Sequence, residues 1–118
     1  MFNFEKLDVW QKAVALADVV YSQTRKFPAE ERFGLTNQMR RAAVSISSNI
    51  AEGSSRTSQA DFARFIEIAT GSVFEVTSQA FIAKNRDLLS EEKFRSIYQG
   101  TEELSRMLSG LRKSLSNS

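Results

Sequence analysis

The chain has neither cysteine nor histidine among its 118 residues. The first absence excludes disulfides and thiolate metal sites, and nothing points to an oxidising compartment. The second removes the side chain most used as a general base and as a metal ligand. Proline occurs once and glycine five times, so the chain has few natural breaks and long helices are favoured. No apolar run approaches the roughly 20 residues of a membrane-spanning helix. The opening Met1-Phe2-Asn3-Phe4-Glu5-Lys6 has no signal-peptide pattern, and a cytoplasmic protein without membrane contact is expected. There is no glycine-rich phosphate loop and no paired-carboxylate motif. The Glu-x-x-His sites of di-iron bundles need histidine and are impossible here. The expectation is a protein that is not an enzyme and carries no cofactor and no metal.

What is present is an ordinary soluble composition, 42% hydrophobic and 25% charged, sized for a single domain over residues 1–118. A chain of this length buries roughly two thirds of its unfolded surface, enough for one core. The formal net charge is +2. That permits nucleic-acid binding where charge is clustered or multiplied by oligomerisation, without demanding it.

Four helices are expected, over 9–26, 35–52, 58–86 and 91–115, in an all-α, up-down-up-down antiparallel four-helix bundle. Residues 1–7 read as an extended arm whose aromatics pack on the bundle. Asp8 with Gln11 resembles a capping box opening the first helix. Val9, Ala13, Leu16 and Val20 form one apolar stripe, and Trp10, Val14, Ala17 and Tyr21 the adjoining one. Trp10 is expected as a core or interface anchor. Glu30 and Glu31 are adjacent carboxylates read as solvated, with no metal cluster beside them. Ser58 with Asp61 opens the third helix, and Ser90 caps the fourth. Phe94, Ile97, Tyr98, Thr101, Leu104, Leu108, Leu111 and Leu115 make a narrow, near-heptad stripe. Asn117-Ser118 reads as frayed tail.

The third helix is different. Phe62, Ile66, Ala69, Val73, Val76, Ala80 and Ala83 point one way, widened by Phe65, Ile68 and Ile82 on one side and by Phe74 and Phe81 on the other. Apolar side chains then cover more than half its circumference. This is more than a lone bundle can bury, so part of the helix is expected against another subunit. Gly71, followed by Ser72, is expected either to allow close helix approach or to kink the helix, since glycine costs about 1 kcal/mol in a helix interior.

The centre of the chain is residues 33–56. Leu35, Met39, Ala42, Ala43, Ile46, Asn49, Ile50 and Gly53 recur at steps of three and four, which places them on one helix face. Thr36 or the Phe33-Gly34 turn is expected to cap its start, and Gly53 to supply a left-handed cap past its last turn. Asn49 falls on the apolar stripe, where an amide needs hydrogen-bond partners. Asn49 and Glu52 either bond to neighbouring helix ends or mark a site. Arg40 and Arg41, with Arg56 nearby, are either solvated or reach phosphates, for which arginine forks are suited.

Gln38-Met39-Arg40-Arg41-Ala42-Ala43-Val44-Ser45-Ile46, then Asn49-Ile50-Ala51-Glu52-Gly53 and Arg56, resembles the signature of a bacterial family of small four-helix bundles. The family is known as 23S rRNA intervening-sequence proteins, or S23 ribosomal proteins, and the accessory protein of diversity-generating retroelements resembles it too. Leu7-x-Val9-Trp10-Gln11-Lys12-Ala13, Phe27-Pro28 and Phe65-x-x-x-Ala69-x-Gly71-Ser72-x-x-Glu75 fit the same pattern. Ser47 departs from it, standing where many relatives carry proline. The resemblance implies the same bundle and a homopentameric ring. It also implies RNA or a ribonucleoprotein partner, such as a reverse transcriptase.

Two functions from different classes follow. In the first, the oligomer binds RNA or DNA through a basic surface, and a fivefold ring raises +2 to about +10. Arg40, Arg41, Arg56, Arg64, Lys84 and Arg86 are the candidate contacts, with Asn49, Glu52, Gly53 and Gly71 as structural members of the motif. In the second, the oligomer is a structural or protein-interaction module, and the arginines pair with Glu52, Asp61, Glu67 and Glu75.

Overall fold

The computed structural model describes residues 1–116; Asn117 and Ser118, expected as frayed tail, lie outside the described residues. Four helices account for most of the chain: α1 (Asp8–Thr24), α2 (Leu35–Ser54), α3 (Gln59–Asn85) and α4 (Glu91–Ser116). No strand occurs among the described residues. Each helix packs on its neighbours in sequence, and α4 closes on α1, giving an antiparallel four-helix bundle 46 Å long. The up-down-up-down expectation holds.

The periodicity puts the intended residues inside. Val9, Ala13, Leu16 and Val20 are buried, as are Met39, Ala42, Ala43, Ile46 and Ile50. From α3 and α4 come Ile66, Ala69, Val73, Val76, Ala80, Ala83, Phe94, Ile97, Leu104 and Leu108. These form one continuous apolar core. A hydrogen bond of 2.9 Å between the hydroxyls of Ser45 and Ser72 sets the register of α2 against α3. Asn49 Nδ2 donates to the Ser45 carbonyl at 2.8 Å and to its hydroxyl at 3.0 Å. Asn49 is thus satisfied by its own helix and supports the Ser45–Ser72 link. Ser47 bonds back to the Val44 carbonyl and lets α2 run straight through the position.

The caps show where sequence reading succeeds. Ser58 Oγ accepts from the Asp61 amide at 3.0 Å, and Ser90 Oγ from the Lys93 amide at 3.2 Å. Other boundaries differ. Asp8 lies inside α1, and Gln11 donates to the Glu5 carbonyl at 2.8 Å, so no capping box forms there. Residues Asn3–Lys6 make a 3₁₀ turn in place of an extended arm, with the Phe4 ring 4.9 Å from that of Trp10. Trp10 is half-buried against the core. Gly34 of the Phe33-Gly34 turn is the N-cap of α2, and Thr36 lies inside the helix. Glu31 Oε1 reaches back to accept from the Leu35 amide at 3.2 Å, so this carboxylate is structural and not merely solvated.

Both motif glycines have roles other than those expected. Gly53 is helical and α2 runs on to Ser54, so it is no left-handed cap. A Cβ there would meet Phe65 Cβ at 2.7 Å and Phe62 Cδ1 at 2.9 Å, so glycine is needed for α2 to approach the start of α3. Gly71 is the reverse: a Cβ would meet nothing within 4 Å, and no helix of this chain approaches it. Its partner Ser72 supplies the close contact instead.

Helix α3 ends in a Schellman arrangement. Leu88 N–H bonds the Ala83 carbonyl at 2.8 Å and Asp87 N–H the Lys84 carbonyl at 3.0 Å, with Asp87 at φ 61°. The third helix keeps its excess of apolar surface. Ile68, Phe74, Phe81 and Ile82 remain exposed, Phe74 at 63%. Between α3 and α4 runs an open apolar groove of about 600 Å³ lined by Val73, Phe74, Thr77, Phe81 and Tyr98 among others.

Candidate nucleic-acid interface

Antiparallel packing of successive helices puts the α1–α2 and α3–α4 connections at one end of the bundle and the chain's beginning, the α2–α3 loop and the end of α4 at the other. Charge is unequal between them. The first end carries Arg25, Lys26, Arg32, Arg40, Arg41, Lys84, Arg86, Lys93 and Arg95 against Asp18, Glu30, Glu31, Asp87, Glu91 and Glu92, nine cations and six carboxylates. The opposite end carries Lys6, Lys12, Arg56, Arg64, Arg106, Arg112 and Lys113 against Glu5, Asp8, Glu52, Asp61, Glu67 and Glu103, seven cations and six carboxylates, while Glu75 and Glu102 lie near the middle of α3 and α4. The molecule is basic at one end and close to neutral at the other.

The six candidate contacts therefore do not form one patch. Arg40, Arg41, Lys84 and Arg86 share the basic end, while Arg56 and Arg64 lie at the neutral one. Nor are they equally available. Arg40 Nε donates to Thr24 Oγ1 at 2.9 Å, its terminal nitrogen reaches the Tyr21 carbonyl, and its guanidinium lies 4.6 Å from the Tyr21 ring centre. Thr24 is buried at the last turn of α1, so Arg40 caps that helix end, where a cation suits the dipole. Adjacent Arg41 points elsewhere and is exposed. Together with Asn37 and Val44 the two arginines line a shallow cleft.

Lys84 is committed too. Its ammonium sits 2.9 Å from Glu91 and 4.6 Å from the Phe94 ring centre. The hydrogen bond from Lys84 holds the Glu91 carboxyl below the usual carboxylate range, with Arg95 adding to the effect. Arg86 ends α3 and is exposed, with no ion pair among the described residues. At the neutral end Arg56 pairs with Glu52 at 3.8 Å and lies 4.8 Å from the Phe65 ring, and Arg64 flanks the same ring at 5.5 Å. Glu52 thus holds Arg56, and Glu67 pairs with Arg112 at 2.6 Å. Neither Asp61 nor Glu75 makes an ion pair among the described residues.

Sequence reasoning missed Arg25, Lys26, Arg32 and Lys93, exposed cations that join Arg41 and Arg86 at the basic end. A signal was available. Four consecutive helices alternate in direction, so cations beside the first and third connections must share an end.

No helix among the described residues is long and apolar enough to cross a membrane, and no group of three or more carboxylates there could hold a metal ion. A protein of the S23 ribosomal protein family from Bacteroides thetaiotaomicron VPI-5482, itself of unknown function, has a similar structure: TM-score 0.80 at 23% identity, over 89% of this chain and 98% of that one. At that identity the likeness speaks to the fold. No curated protein matches the chain. The family model described as 23S rRNA-intervening sequence protein matches residues 5–110. The match spans all four helices, the Arg40–Arg41 and Asn49–Gly53 motifs included, and the chain belongs to the 23S rRNA-intervening sequence protein family.

Proposed function

We propose that this protein is a non-enzymatic, cytoplasmic, oligomeric bundle that binds nucleic acid, RNA or a ribonucleoprotein, through a basic surface of a ring-shaped assembly. The observation that carries the reading is the segregation of cations to one end of the bundle. Lysines and arginines gathered on one surface meet phosphates through counterion release and need no sequence readout. The family name adds an RNA context.

The oligomer rests on the two exposed apolar flanks of α3, Phe74 and Phe81, continued by Tyr98, on one side and Ile68 and Ile82 on the other. Apolar surface of that kind marks contact with a protein. Copies packed side by side along the bundle axis would collect their basic ends on one rim. A homopentamer, the ring implied by the family resemblance, would carry about +10, and such a rim fits the RNA of a ribonucleoprotein such as a reverse transcriptase complex.

A second reading is favoured by how many cations are engaged within the chain: Arg40 on Thr24, Arg56 on Glu52, Lys84 on Glu91 and Arg112 on Glu67. In that reading the oligomer is a structural or protein-interaction module.

Light-scattering mass of the purified protein, followed by RNA binding at low and raised salt, separates the two. The expected result is a discrete multiple of 13.3 kDa whose RNA affinity falls linearly with salt on logarithmic axes. Arg41→Glu should weaken binding several-fold and lower the salt slope by about one without changing the mass. A discrete oligomer that does not bind RNA moves the assignment to the interaction module, and a stable monomer removes the ring.

A further inference from the structure

The connection between α1 and α2 ends on Phe33, which is 86% exposed. A single exposed aromatic is common and means little by itself. Two further observations give this one significance. The first is its setting: Arg32 precedes it, Arg25 and Lys26 stand at the foot of the same connection, and Arg86 and Lys93 lie at the same end of the bundle, all exposed. The second is its rigidity. Pro28 leads into a 3₁₀ turn over Ala29–Glu31. Arg32 N–H bonds the Ala29 carbonyl at 3.0 Å, Gly34 N–H bonds the Glu31 carbonyl at 3.0 Å, and Glu31 Oε1 caps Leu35. Phe27, the other aromatic of the connection, packs against the core. The ring of Phe33 is held outward on a fixed turn, and of the two adjacent carboxylates Glu31 is turned back onto α2.

We propose that this tip is a platform for single-stranded nucleic acid, on which Phe33 stacks against an unpaired base while Arg25, Lys26 and Arg32 take the flanking phosphates. The proposal rests on the nucleic-acid reading above and deepens it by naming the strand state that is recognised. An aromatic face accepts any base that is not already stacked on both sides, so the ring favours single strands over duplex. The cations contribute to both, because phosphates are common to both. The rigid turn means that little conformational freedom is lost when the base arrives.

Fluorescence anisotropy with an unstructured 15-nucleotide RNA, and with the same RNA annealed to its complement, tests this on the intact protein. Phe33→Ala should lose about tenfold in affinity for the single strand and change duplex affinity less than twofold, with an unaltered salt slope. Phe33→Trp should bind the single strand as the parent does, and its fluorescence should be quenched on binding. Lys26→Glu with Arg32→Glu should weaken both ligands and flatten the salt dependence. Salt-dependent binding by the parent with equal single-strand affinity in Phe33→Ala overturns the platform and leaves the basic-surface reading intact. No binding by the parent at low salt overturns both. A change of oligomer mass in Phe33→Ala also overturns the platform, since the ring would then be a contact between copies of the chain.

Discussion

Arg40 and Arg41 are neighbours in sequence with opposite fates, and the difference is where a helix of 3.6 residues per turn points each of them. Arg40 turns toward α1 and satisfies the buried Thr24 hydroxyl; Arg41 turns out to solvent. Arg40→Met should therefore cost about 1–2 kcal/mol in urea unfolding, because it leaves a buried oxygen short of a donor, while Arg41→Met should be neutral. The motif glycines divide in the same way. Gly53→Ala forces a methyl against Phe65 and Phe62 and should destabilise by about 1–3 kcal/mol. Gly71→Ala should stabilise by about 0.5–1 kcal/mol, since its Cβ has open space and the helix gains propensity. A loss of stability in Gly71→Ala would instead put a second chain against that position. Glu91 gives a pH test. Its folded value lies below its unfolded one, so the contribution of the Lys84 pair is present above the ordinary carboxylate range and is lost as pH falls through the folded value. Lys84→Met should move the Glu91 titration upward, as followed by side-chain carboxyl NMR shifts.

At the scale of the element, α3 carries the most information. One face joins the core through Ile66, Val73, Val76 and Ala80, and its flanks present Phe74 with Phe81 on one side and Ile68 with Ile82 on the other to the outside. Burying one face of a helix is what a bundle does; the exposed flanks need a second partner. Phe74→Lys with Phe81→Lys should reduce the light-scattering mass to that of the single chain while far-ultraviolet circular dichroism keeps its helical signal. An unchanged mass would clear this face of any part in assembly. The aromatic cluster alongside it, with Phe81 4.8 Å from Phe94 and 6.1 Å from Tyr98, ties the exposed band to α4, so the contact region is a groove between two helices and not a single ridge.

For the molecule as a whole, a net charge of +2 conceals the separation of a basic end from a neutral one. Solubility follows the net value, whereas capture of a polyanion follows the local one. Reversing Arg86 and Lys93 at the basic end should weaken RNA binding by an order of magnitude or more at low salt. Reversing Arg64 and Lys113 at the neutral end should change it far less. Equal losses in filter binding from the two pairs would mean that only total charge matters.

The sequence by itself determined the local features. Four apolar periodicities, the Ser58 and Ser90 caps, the excess apolar surface of α3 and the family signature were all legible, because each depends on residues a few positions apart in one helix. The tertiary structure decided what depends on register and direction between helices. The pairing of Ser45 with Ser72, the fit of Gly53 onto Phe65 and the commitment of Arg40 to Thr24 arise from segments that meet only after folding. The same physics split the six candidate cations between two ends and brought Arg86 and Lys93 to the end that carries Arg25, Lys26, Arg32 and Phe33, since packing antiparallel helices fixes which connections share an end.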